Sequence, residues 1–159
     1  MPADPGAVGE PIDALLRLIR DLYEMSKADG FPITHYFYEM PFIGKQVNSR
    51  TSKRLMGMAG VVEMFAFQKK ALGCYEVDIS EWRKHFLGRG SGFKKAPGGK
   101  KYLPGHDPKE LAIQRCAEYG WHTDIHDAAE ACGVLDYSLT MIPKYHRPWR
   151  DNALMGGML

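Results

Sequence analysis

Only two short stretches of this chain have the character of β-strand, and the other regular segments all read as helix. Residues 33–40 are rich in β-branched and aromatic types and stop against Pro41, which favours a strand ending there. Residues 74–79 alternate in polarity and make a second strand. The long helical segment between them predicts a strand-helix-strand unit with a right-handed crossover and a parallel pair. Two parallel strands make a marginal sheet, and parallel sheets are normally covered by helices on both faces. The expected class is therefore α/β, with parallel strands flanked by helices and too little sheet. The missing strands would come from the tail, from a partner chain or from sequence upstream of Met1.

The helical segments carry their own signals. Ile12, Leu15, Leu16, Ile19, Leu22 and Tyr23 recur at helical spacing over 11–27, with Pro11 suited to the first position and Gly30 beyond the end. Leu55, Met58, Ala59, Val62 and Ala66 mark a helix over 51–72, made slim by Gly57, Ala59 and Gly60. Ser80 is a plausible cap for a short helix through Trp82. Asp107-Pro108-Lys109-Glu110 combines a cap, a proline at the first position and an acid at the third, opening a helix that ends near Gly120. A last helix is expected over 124–141. Residues 88–106 are glycine-rich loop with many cations, and the tail from Pro143, with Pro148, Trp149, Gly156 and Gly157, reads as irregular.

At 159 residues with 45% apolar and 25% charged content, the chain has the size of one domain, expected over 1–142 with a tail over 143–159. A net charge of +2 is too small to imply polyanion binding, so that reading rests on where the cations cluster. Cys74, Cys116 and Cys132 lack C-x-x-C spacing and fall in apolar patterns, which predicts reduced core thiols rather than disulfides or zinc ligands. The N-terminus has no basic and apolar leader pattern, and no apolar run approaches a membrane span, so a cytoplasmic protein without a membrane partner is expected.

Three acids stand out. Glu39 closes the first strand, and the carboxyl end of a parallel strand faces the crevice where open α/β sheets bind ligands. Asp127 and Glu130 are one i, i+3 step apart on a helix face, with Asp124 one step earlier. Such carboxylates suit hard divalent cations, and two ions about 4 Å apart activate water and stabilise a leaving oxygen in phosphodiester hydrolysis. The plainer readings are a solvated strand-end acid at Glu39 and acids complementing a helix dipole at Asp124 and Asp127. His122, His126 and Glu130 imitate zinc spacing, but Thr123 stands where the metalloprotease pattern needs glutamate. Gly88, Gly90 and Gly92 look like a phosphate cradle without the strand and helix that such a cradle needs. A basic loop carrying Arg89, Lys94, Lys95, Lys100 and Lys101 better suits nucleic-acid backbone contacts, as does the stretch with Lys45, Gln46, Asn48, Arg50, Lys53 and Arg54.

Tyr38-Glu39-Met40-Pro41, Asn48 and the run from Leu55 to Val62 resemble the RuvC-like Holliday junction resolvases of the ribonuclease H-like superfamily, phage and prophage forms especially. Residues 77–84 look like the strand and basic helix start before that family's lysine-bearing loop, and Asp127-Ala128-Ala129-Glu130-Ala131 looks like its closing D-x-x-D-A helix. The resemblance covers about 11–141. It implies a ribonuclease H-like fold, here lacking its N-terminal strands, and DNA cleavage with two Mg²⁺ or Mn²⁺ ions, commonly by a homodimer on a four-way or otherwise branched junction. Glu39, Asp127 and Glu130 would be the second, third and fourth acids, and Lys94 or Lys95 the basic residue that approaches the scissile phosphate. Glu130 replaces the usual aspartate, and the first acid of a D-x-G strand has no counterpart. The rival expectations are a DNA-binding protein with an incomplete catalytic set, and a structural chain whose small-residue helix from Gly57 is a dimer surface.

Overall fold

The computed structural model describes residues 6–41, 49–99, 101–142 and 150. They form five helices and two strands: α1 (Gly6–Ala28), β1 (His35–Glu39), α2 (Ser49–Gln68), β2 (Gly73–Val77), α3 (Ile79–Leu87), α4 (Pro108–Glu118) and α5 (His126–Ser138). The class is α/β, and β1 and β2 pair in parallel as a two-stranded sheet. The chain packs as two compact units, Met1–Glu76 and Val77–Leu159.

In the first unit α1 and α2 pack together over β1. Tyr36, Phe65 and Ala66 form a small buried core, with Leu16, Ile19, Tyr23, Ile33, Val62 and Cys74 packed on it. Tyr23 and Tyr36 both meet the Phe65 ring edge-on. Gly57 lets the two helices approach closely, because a Cβ there would run into Ile12 of α1. Part of the small-residue face of α2 is thus spent inside the unit, while Gly60 looks onto open space. Helix α1 begins at Gly6, not Pro11, so Pro11 lies inside it. The missing Pro11 N–H leaves the Ala7 carbonyl without its helical donor, a defect confined to the opening turns.

The second unit is a three-helix packing of α3, α4 and α5. Trp82 and Phe86 of α3, Ala112 and Cys116 of α4, and Ala129 of α5 are all buried. Trp82 and Phe86 rest against Gly133, which has no side chain to hold them off. Helix α3 is capped by Asp78 rather than Ser80: its Oδ1 accepts from the backbone N–H groups of Ser80 at 2.7 Å and Glu81 at 3.2 Å. With the carboxylate as cap the helix runs past Trp82 to Leu87, where Gly88 closes it at φ 78°. Asp107 caps α4 as expected, accepting from Lys109 N–H at 2.9 Å with Pro108 at the start. Helix α5 starts at His126 rather than Asp124, because Thr123 Oγ1 accepts from Ile125 N–H at 3.1 Å and turns the backbone away from helix. It ends at Ser138, short of Met141.

The glycine-rich segment between α3 and α4 is more ordered than a simple loop. Lys95 and Tyr102 form an antiparallel bridge, and Ala96 N–H donates to Lys101 O at 2.8 Å and Leu103 N–H to Lys94 O at 2.9 Å. Cys74, Cys116 and Cys132 are free thiols, with Cys116 fully buried. No described helix is long and apolar enough to cross a membrane.

Candidate functional site

In the second unit, the first turns of α5 and α4 bring opposite charges together. Asp127, its side chain 86% exposed, accepts from Lys109 Nζ at 3.1 Å. Glu130, one turn along, is half-buried; its Oε2 lies 3.8 Å from the same ammonium and its Oε1 accepts from Arg83 Nη2 of α3 at 2.6 Å. The i, i+3 spacing puts the two carboxylates on the same side of α5, both within 4 Å of one cation. That cation is the ammonium of Lys109. Its pKa is raised by the hydrogen bond to Asp127 and the charges of Glu130 and Asp127, against a smaller opposing effect of burial.

The two contacts differ in weight. The Lys109–Asp127 pair is exposed, the kind worth roughly 0–1 kcal/mol and screened by salt. Arg83 and Glu130 are mostly covered, and the Arg83 guanidinium also lies 5.2 Å from the Trp82 ring centre. Glu130 thus helps fix α3 to α5, whereas Asp127 is readily released. Asp127 and Glu130 offer carboxylate oxygens, the donor type that hard divalent cations take, with one oxygen of Glu130 kept by Arg83.

Asp124 lies outside α5 and is exposed, so it does not share the helix face with Asp127. Glu39 is the exposed last residue of β1 in the first unit. His122 and His126 are exposed. Among the described residues no three His, Cys, Asp or Glu side chains gather in a metal-holding group.

The expected DNA contacts divide by what else they do. Lys45, Asn48 and Lys100 lie outside the described residues, as does the tail from Pro143 except Arg150. Arg50 and Lys53 are exposed and Arg54 half-buried, all in the first turns of α2. Arg89 is committed internally: Nη2 donates to Gly105 O at 2.6 Å, and the guanidinium sits 5.3 Å from the Phe93 ring centre. Lys94, Lys95 and Lys101 are exposed, with the Lys95 ammonium 5.4 Å from the Tyr102 ring centre.

Three charged groups were not singled out by residue pattern. Lys109 had one signal, since a cation in the first turn of a helix opposes the dipole and calls for an acid nearby. Arg83 sits in mid-helix and had none. Buried Asp136, held by Arg150 at 2.5 Å and lying 3.1 Å from His85 Nε2, has the spacing of an ordinary helical residue. The chain matches no protein-family model, and no curated protein or solved structure is significantly similar to it.

Proposed function

We propose that this chain acts on DNA as a metal-dependent endonuclease of the RuvC-like type, with branched, junction-like substrates. The observation that carries the reading is the convergence of Asp127 Oδ1 and Glu130 Oε2 on one cation, in the helix whose sequence resembles the family's closing motif. Asp127 and Glu130 would hold Mg²⁺ or Mn²⁺, which supplies an activated water and charge stabilisation at the leaving oxygen. Arg83 keeps Glu130 in place through the exchange. Lys109, released from Asp127, is left as a mobile ammonium for a phosphate oxygen, a role better supported for it than for Lys94 or Lys95. Those two, with Lys101, offer sequence-independent contacts to the backbone. The resemblance also implies a role as an acid for Glu39, the last residue of β1.

A second reading is favoured by the same ion pairs: a chain whose acids are neutralised by Lys109 and Arg83 binds branched DNA without cutting it. The test is incubation with an end-labelled four-way junction and Mg²⁺ or Mn²⁺, with a parallel binding titration in EDTA at several salt concentrations. Cleavage that disappears in D127N while binding persists supports the nuclease. Steeply salt-dependent binding with no cleavage in either metal selects the binding protein. Absence of binding at low salt overturns both.

A further inference from the structure

We infer that His106 is a proton-operated clasp at the base of a basic arm whose two sides are residues 94–96 and 101–103, closed while its imidazole is neutral and opened when the ring takes a proton. The arm is an antiparallel pair. Lys95 bridges to Tyr102, flanked by Ala96 N–H donating to Lys101 O and Leu103 N–H donating to Lys94 O. A regular ladder would complete the pair at the base with a second bond, from Lys94 N–H back to Leu103 O. That carbonyl is engaged elsewhere. Leu103-Pro104-Gly105-His106 makes a tight turn in which His106 N–H donates to Leu103 O at 2.9 Å and Gly105 takes a φ of 69°. Lys94 N–H donates instead to His106 Nδ1 at 3.2 Å, so the imidazole nitrogen stands where the ladder has a carbonyl.

The partners of Nδ1 decide its protonation. A main-chain N–H only donates, and so does a guanidinium, whose Nη1 in Arg89 lies 3.4 Å from the same nitrogen. Nδ1 must therefore present its lone pair, which puts the ring proton on Nε2 and leaves the imidazole neutral. Arg89 is held in place: Nη2 donates to Gly105 O at 2.6 Å, and the guanidinium sits 5.3 Å from the Phe93 ring centre. A second ring proton would set an N–H on Nδ1 against the Lys94 N–H and bring a cation up to the guanidinium. The neighbouring charges do not offset this. Lys94 is a further cation, and the Asp107 carboxylate is engaged in capping α4, accepting from Lys109 N–H at 2.9 Å. The closed arm thus binds one proton fewer than the open one. Closure is favoured as pH rises and lost as it falls, by up to about tenfold in the closed-to-open ratio for each pH unit. An ordinary imidazole changes charge between about pH 5 and 8. Above that transition the exposed Lys94, Lys95 and Lys101 are presented on a fixed frame, and below it on a loose one.

Nuclear magnetic resonance of the full chain tests this, with the ring nitrogens reporting the tautomer and hydrogen exchange giving amide protection factors. At about pH 7.5 the His106 ring proton should sit on Nε2 and the Lys94 amide should be protected. At about pH 5 protonation of the ring should lower Lys94 protection about tenfold or more, while amides within α4 keep theirs. H106N places an acceptor oxygen near the position of Nδ1 but takes no proton, so Lys94 should be protected at both pH values. H106F keeps a ring without an acceptor and should leave Lys94 unprotected at both. Circular dichroism and the α4 amides show that each variant is folded. A proton on Nδ1 at the higher pH, Lys94 protection that survives ring protonation, or an H106N protein as unprotected at Lys94 as H106F would each overturn the inference. Neither DNA nor metal enters the measurement, so its failure leaves the nuclease proposal standing, and absence of cleavage leaves the clasp standing.

Discussion

Adding one methyl group at Gly133 should destabilise the second unit, although the same change at Gly60 should stabilise the first. Both glycines lie in helices, where alanine is favoured by about 1 kcal/mol. At Gly60 a Cβ meets nothing within 4 Å, so that gain is uncontested. At Gly133 it would lie 2.7 Å from Trp82 Cζ3, 2.8 Å from Trp82 Cε3 and 2.9 Å from Phe86 Cδ1. Neither ring has room to retreat, since Trp82 is 0% and Phe86 1% exposed. Overpacking typically costs about 1–3 kcal/mol, and two trapped rings place this case near 3. Subtracting the propensity gain leaves about 2 kcal/mol, which for a unit of this size lowers the melting temperature by roughly 8–16 °C. All the chain's tryptophans, Trp82, Trp121 and Trp149, fall in the second unit, so their fluorescence during heating follows that unit alone. A G133A protein that melts at or above the wild-type temperature would refute the packing argument. So would a G60A protein, followed by circular dichroism, that loses as much stability as G133A.

Asp136 is fully buried and paired with Arg150, so D136N should cost about 3 kcal/mol, the low end for breaking a buried pair because Arg150 keeps some solvent contact; urea denaturation measures it. The two acids of the candidate site should separate in stability as they do in burial. D127N is expected to lie within about 0.5 kcal/mol of wild type, while E130Q, which leaves Arg83 without its counter-charge, should cost about 1–3 kcal/mol in the same assay. The Cys116 thiol is pushed up to about 12, first by burial and then by neighbouring Cys132. The folded chain therefore holds this proton while an unfolded thiol, ordinarily near 9, gives it up. More protons are bound in the folded state over that interval, so stability should fall as pH rises from about 9 towards 12. Melting temperatures across that range should fall less steeply in C116A.

Where a local signal had no competitor, the fold was legible. Asp107-Pro108 opened α4 because a cap and a fixed φ act on the same turn, and β1 stopped before Pro41. Where two signals competed, the sequence left the winner open. Asp78 and Ser80 can both cap α3, and the carboxylate wins by accepting from two backbone N–H groups. Thr123 could have continued a helix from Asp124, but its hydroxyl binds the backbone two residues on. The candidate site divides in the same way. Spacing along one helix sufficed to say that Asp127 and Glu130 would lie on the same side, since that is a property of α5 alone. Which cation they share depends on what α3 and α4 bring, and no periodicity within α5 carries it. The consequence reaches function: an acid pair that looks vacant in sequence is counter-charged in the fold, exposed and exchangeable at Asp127, covered and anchored at Glu130. A divalent ion taken up here must displace an ammonium, so its apparent affinity should rise when Lys109 is replaced by methionine. If K109M binds Mn²⁺ no more tightly than wild type in a calorimetric titration, Lys109 is not the group that holds the position.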